Sequence, residues 1–229
     1  MIYKLKSKRP GSPYAPSWDI SLGSYQWEDS EKIKTIKEFL LSKEEEILKL
    51  EVNRDAGTGL GEESVTTRYG RYNVFGLGEE CPEINNLFKF IQKSYLEFIK
   101  EDDTMFLPLK IICWYNIIRK GQEIKEHSHG AGEDIYLSGN MHLDNYDSVT
   151  RYVERGMDCC MPNIAGGLTI FPSYVSHSVA EWQNDYPRLS LAFDLYIDIQ
   201  PYYPSADEDG HPITFMNFDI LNQLADPRN

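Results

Sequence analysis

Long apolar runs are missing from this chain of 229 residues, and none approaches the roughly 20 consecutive apolar residues of a membrane-spanning helix. No apolar h-region opens the N-terminus, so neither a secretory leader nor a membrane role is expected. Cysteine is sparse. Cys81, Cys113, Cys159 and Cys160 make no C-x-x-C pair, which fits a reduced, cytoplasmic protein. The adjacent Cys159 and Cys160 read as two small side chains in a loop rather than as a redox switch. Basic residues are outnumbered, 23 Lys and Arg against 36 Asp and Glu, for a net charge of −13. Tight binding along a nucleic-acid backbone needs clustered Lys and Arg. The one such cluster, Lys4, Lys6, Lys8 and Arg9, reads as a solvated arm. Nothing in the composition fixes an oligomeric state.

What is present divides into a helical front and a strand-rich back without internal repeats, on a length that fits one domain, 1–229. Ser30 can cap a helix whose apolar Ile33, Ile36, Phe39 and Leu40 recur at helical spacing. Ser42 and Glu45 read as a capping box for a second helix running toward Leu50. Pro82 opens the most regular stripe, Ile84, Leu87, Phe88, Ile91, Tyr95, Phe98 and Ile99, expected to pack on the outside of a sheet. From Leu107 the period changes. Residues 111–118 are rich in β-branched and aromatic side chains and end at Lys120-Gly121, a buried strand closed by a turn. Shorter strands are expected at 135–142, 167–171 and 177–182. In the last strand Leu189, Leu191, Phe193, Leu195, Ile197 and Ile199 alternate with Arg188, Ser190, Ala192, Asp194, Tyr196 and Asp198. Its largely polar face should line a wet cavity or a site. Together these features give an α+β chain: a double-stranded β-helix (jelly-roll, cupin-like) core with N-terminal helices packed on the outside of one sheet. The expected boundaries are 1–104 for a helical support region, 105–200 for the core and 201–229 for a tail or lid, opened by Tyr202, Tyr203 and Pro204.

Three of the five histidines stand out. His127 and His129, at i and i+2, would share one face of a strand. His177 on a neighbouring strand would complete a face of three imidazoles, a donor set suited to several first-row metals. Eleven residues beyond His177, Arg188 and then Ser190 also share a face. A guanidinium and a hydroxyl pointing into one cavity suit the far carboxylate of a metal-bound diacid. The plain alternative is that these histidines are polar surface residues, and for His142 and His211 it is the preferred reading. Zinc is a sharper rival, because H-x-H plus a distant His also describes a catalytic zinc site. Such a site does not require Arg188-x-Ser190. Asn116 shares a face with Trp114 and either bonds a substrate or co-substrate or satisfies backbone groups at a strand edge. Tyr14, Trp18, Tyr25 and Trp27 read as packing residues.

As an ensemble these residues resemble the Fe(II)/2-oxoglutarate-dependent oxygenase superfamily, with its prolyl-4-hydroxylase-like core. The shared pattern is Gly121, five residues, His127-x-His129, a long gap, His177 and Arg188-x-Ser190. Trp114-x-Asn116, Ser138-Gly139, Phe171-Pro172-Ser173 and His177-x-Val179 are similar to a poorly characterised phage and bacterial group within it. The resemblance spans about residues 111–195. A reading of the histidines as surface residues would also have to explain Gly121 and Arg188 at the expected offsets. What the resemblance implies is Fe(II) held by His127, His129 and His177, with 2-oxoglutarate and O2 as co-substrates. The far carboxylate would rest on Arg188 and Ser190, with Asn116 nearby and Tyr136 as a further donor. The implied reaction is hydroxylation of a C–H bond with release of succinate and CO2, on a small-molecule or peptidyl substrate. The chain departs from the superfamily at one ligand, where His129 stands in place of Asp. Either His129 itself ligates, which its relation to His127 favours, or Glu133 or Asp134 supplies a carboxylate, or a water holds the position. A bulky His does not vacate that position for a halide, which argues against halogenation. Two other classes stay open: a three-histidine enzyme without 2-oxoglutarate, of cupin-dioxygenase or zinc-hydrolase type, and a non-catalytic jelly-roll binding module.

Overall fold

The structure, a computed structural model, describes the chain apart from residues 8–11, 15–16, 54–56, 131–134, 155, 199–211 and 219–229. Its strands are β1 (Ile2–Lys6), β2 (Asp19–Gln26), β3 (Leu109–Ile118), β4 (Ile124–His127), β5 (Ile135–His142), β6 (Val149–Glu154), β7 (Met157–Pro162), β8 (Gly167–Pro172), β9 (Ser176–Val179), β10 (Arg188–Ile197) and β11 (Met216–Asn217). They pair antiparallel into a larger sheet, β1-β2-β8-β5-β10-β3-β11, and a smaller one, β4-β9-β6-β7. The apolar face of β10 (Leu189, Leu191, Phe193, Leu195) packs outward onto helix α3 (Glu83–Glu101), whose stripe from Ile84 to Ile99 is buried in the same core. Helix α1 (Ser30–Ser42) adds Ile33, Ile36 and Leu40 to it. The polar face of β10 is thereby turned toward the smaller sheet. Smaller apolar clusters, such as Ile20, Leu22, Tyr152, Met161 and Phe171, tie the two sheets together. The expected double-stranded β-helix with helices on the outside of one sheet is the architecture observed.

Several local expectations are corrected. Asp29, not Ser30, caps α1, its carboxylate accepting from the Lys32 backbone N–H at 3.2 Å. Ser42 makes no capping box, because its hydroxyl donates back to the Phe39 carbonyl at 2.6 Å and α1 continues to it. The following helix, α2 (Glu44–Ile47), starts without a side-chain cap. The segment 1–104 is not helical throughout, since β1 and β2 extend the larger sheet beyond β8. Lys4 and Lys6 therefore sit on a paired strand rather than in a free arm. Cys159 and Cys160 lie in β7, as free thiols, not in a loop. Most of 201–229, with Tyr202, Tyr203 and Pro204, lies outside the described residues, but β11 adds to the far side of β3.

Two glycines of the sequence pattern have identifiable work. Gly121 adopts φ +81, the left-handed turn that ends β3 and bonds back to Trp182 at 2.8 Å. Gly139 faces Phe193 across the β5–β10 pair, and a Cβ there would lie 2.2 Å from the ring.

Candidate metal centre and anion pocket

β4 and β9 are neighbours in the smaller sheet, with His127 opposite His177 in register, so their rings lie side by side at 4.5 Å between centroids. β4 ends at His127, so strand alternation does not place His129. Its backbone N–H instead donates to the Ser173 carbonyl just beyond β8, at 3.0 Å. That anchor brings its ring to 5.4 Å from His127 and 5.0 Å from His177. One ligand nitrogen from each of the three rings lies within 4.8 Å of the others.

The hydrogen bonds assign the ring protons. Nδ1 of His127 is 2.8 Å from the Lys125 carbonyl and Nδ1 of His177 is 3.4 Å from that of Val175. Nδ1 of His129 lies 2.6 Å from Oδ1 of Asp194. Facing acceptors, each Nδ1 carries the hydrogen, so each neutral ring keeps its lone pair on Nε2. Burial holds the His177 pKa well below the usual imidazole range, and the nearby His129 and His127 push it the same way. The ring is thus held neutral, the form that binds metal. Asp194 takes a second bond, from the Ser138 hydroxyl at 2.5 Å, and Ser138 is 2.9 Å from the Ser173 hydroxyl. The bond between Asp194 and Ser138 follows from topology, because the two are cross-strand partners in β10 and β5.

The histidines open into a cavity of about 330 Å³ whose lining includes Trp114, Asn116, Asn140, His142, Arg188 and Ser190. Ser190 sits in register between Asn116 of β3 and His142 of β5. Arg188 is 1% exposed and makes no ion pair with a carboxylate among the described residues. Its Nη2 is 3.4 Å from His142 Nδ1 and its guanidinium lies 5.7 Å from the centre of the Tyr146 ring, while Nε and Nη1 have no hydrogen-bond partner among the described residues. Burial brings its pKa down to about 10, with Tyr146 and Tyr152 opposing the shift. A buried cation so placed suits an anionic ligand, because burying an uncompensated charge is costly. Asn140 donates to the Tyr152 hydroxyl at 2.7 Å, and its own oxygen has no partner among the described residues. Asn116 accepts from the Thr66 hydroxyl at 2.8 Å.

Of the residues proposed from sequence, His127, His129, His177, Arg188, Ser190 and Asn116 meet at this cavity. Tyr136 does not. A β-bulge where β5 meets Leu195 and Tyr196 turns it outward, and its ring packs on Tyr95 of α3, 6.4 Å between centroids. His142 is not a surface residue either: it is 4% exposed, against Arg188. Glu133, Asp134 and His211 lie outside the described residues. Asp194 was visible on the polar face of the last strand, in phase with Arg188 and Ser190. Its pairing with His129 was not, because it spans 65 residues.

No protein-family model and no curated protein sequence matches the chain. Solved structures do. A prolyl-4-hydroxylase from Pseudomonas putida superposes with a TM-score of 0.55 at 14% identity, covering 78% of this chain and 93% of that one. SnoK, a non-haem α-ketoglutarate-dependent carbocyclase of nogalamycin biosynthesis, gives 0.54 at 12% identity, over 86% and 91%. HygX from Streptomyces hygroscopicus, solved with nickel and 2-oxoglutarate bound, gives 0.53 at 10% identity, over 86% and 92%. This chain has the double-stranded β-helix fold of the 2-oxoglutarate-Fe(II) oxygenases.

Proposed function

We propose that the protein is an Fe(II)- and 2-oxoglutarate-dependent oxygenase that hydroxylates a C–H bond. One observation carries the reading: three imidazoles, each offering a ligand nitrogen within 4.8 Å of the others, line the same cavity as a buried Arg188 that meets no carboxylate among the described residues. His127, His129 and His177 would hold the metal, and the donor set fits Fe(II), which takes imidazole readily. Arg188 would receive the far carboxylate of 2-oxoglutarate through Nε and Nη1, with Ser190 beside it. His142, kept neutral by burial first and by the charge of Arg188 second, would buttress the guanidinium without competing for the anion. The chemistry supplied at such a site is reduction of O2 coupled to decarboxylation, yielding succinate, CO2 and a hydroxylated substrate. The walls of the cavity would limit the access of competing water.

A zinc hydrolase accounts for the histidines but leaves Arg188 buried without a purpose. Metal analysis of protein purified without added metal, paired with a succinate-release assay, tests the reading. Iron with 2-oxoglutarate turnover is expected. Stoichiometric zinc, with no succinate released after reconstitution with Fe(II), would overturn it.

A further inference from the structure

Three neutral imidazoles carry no charge, whereas a face of two histidines and one carboxylate carries one negative charge next to the metal. The chain has not lost that charge. Asp194 is 6% exposed, lies at the cavity wall, and has its Oδ1 2.6 Å from His129 Nδ1. Among the described residues no Lys or Arg pairs with it, and it accepts a further bond from the Ser138 hydroxyl. A carboxylate buried this way is explained by the ring it holds, since an unpaired buried anion is costly. We propose that Asp194 is the positioning residue of the metal centre, supplying through His129 the negative charge that a carboxylate ligand would otherwise supply directly. The inference rests on the metal reading above.

Two physical effects follow from the geometry. The Asp194 acceptor fixes the Nδ1–H tautomer, so Nε2 of His129 faces the metal unprotonated. The adjacent anion also makes that ring a stronger donor, because the positive charge that metal binding places on the imidazole is stabilised at its far nitrogen. Ser138, held by Ser173, keeps the carboxylate from rotating away. His129 and Asp194 thus divide between two residues what one Asp does in the superfamily pattern.

The division makes the two positions interdependent. In His129→Asp the first carboxylate oxygen takes the place of Nδ1, beside Asp194 Oδ1. Two anions then meet in a buried space and disfavour each other. Replacing Asp194 by Asn in that background removes the repulsion and turns the contact into a hydrogen bond. Asp194→Asn should therefore weaken metal binding in the parent and strengthen it in His129→Asp.

The test is Ni(II) titration calorimetry at one fixed pH on four proteins: parent, Asp194→Asn, His129→Asp and the double variant, each first checked for an intact thermal transition without metal. The parent should lose about 10- to 100-fold in affinity on Asp194→Asn, and His129→Asp should gain about 10-fold or more. A residue needed only for folding would be harmful in both backgrounds. Unchanged affinity in the parent variant, or loss in both backgrounds, would overturn the assignment while leaving the metal reading intact. A parent that binds no Ni(II) would overturn both.

Discussion

Arg188→Met should make the metal-free protein more stable while abolishing its recognition of the diacid. The side chain is 1% exposed, it meets His142 Nδ1 at 3.4 Å, and two of its three nitrogens have no hydrogen-bond partner among the described residues. Each pKa unit by which a cation is displaced is worth about 1.4 kcal/mol, so a guanidinium held at about 10 has its charged form disfavoured by about 3 kcal/mol. Met fills similar length with an adaptable, uncharged chain. Removing the penalty should raise unfolding free energy by about 1–3 kcal/mol, the lower end allowing for loss of the contact with the Tyr146 ring. The same change removes one partner of a sheltered ion pair, a loss of about 2–5 kcal/mol in binding, or at least about 30-fold in Kd for 2-oxoglutarate. Urea denaturation of the metal-free proteins gives the first quantity, and calorimetric titration of 2-oxoglutarate into the Ni(II)-loaded proteins gives the second. Ni(II) affinity itself should hold. A variant that is less stable than the parent and binds 2-oxoglutarate equally well would show that Arg188 is a structural residue and that its unpaired nitrogens mean nothing.

Three further outcomes are expected. His177→Ala should remove measurable Ni(II) binding, since it leaves two imidazoles, at the end of β4 and just beyond it; parent-like affinity by calorimetry would dissolve the three-histidine face. His142 is held well below the usual range, by burial and then by Arg188, so it stays neutral in the fold while the unfolded chain takes up a proton below about pH 6.5. Stability must then fall with falling pH in that window, by up to about 1.4 kcal/mol per pH unit, and His142→Asn should flatten the slope of metal-free unfolding energy between pH 7 and 5.5; an unaltered slope refutes the assignment. Gly139→Ala should destabilise by about 1–3 kcal/mol through its clash with Phe193, with part of the loss recovered when Phe193→Leu is added, and a thermal melt that does not move would contradict the close approach.

Much of the architecture was legible because one periodicity reaches one environment. The α3 stripe and the alternation in β10 each report a single buried face, and the register of β10 between β3 and β5 then carries Arg188 and Ser190 inward together. β1 and β2 were illegible for the converse reason: β1 is a short, largely exposed edge strand without a buried face of its own, and its pairing partner lies in a separate segment. Within the site, His127 and His177 could be paired from spacing, whereas the position of His129 depends on a backbone bond to Ser173 that no local pattern encodes. Tyr136 misled because alternation is broken by the bulge beside it, and His142 because a strand with two apolar-compatible faces does not announce which one a histidine takes.

β3 is a ten-residue strand, almost entirely apolar, with β10 on one side and, among the described residues, the two residues of β11 on the other. Such an edge would ordinarily recruit a strand from another molecule. Here side chains occupy its free backbone groups: Asn73 donates to the Ile111 carbonyl at 3.0 Å and the Tyr72 hydroxyl accepts from the Tyr115 N–H at 3.1 Å, while Phe218 N–H closes on the Leu109 carbonyl at 2.9 Å. Asn73 also grips the Thr214 carbonyl, so the same amide that plugs the edge holds the segment that covers it. The strand that carries Asn116 into the cavity is therefore covered along its outer edge by two side chains and one short flap, so Tyr72 and Asn73 leave fewer of its backbone groups open to strand addition from another molecule.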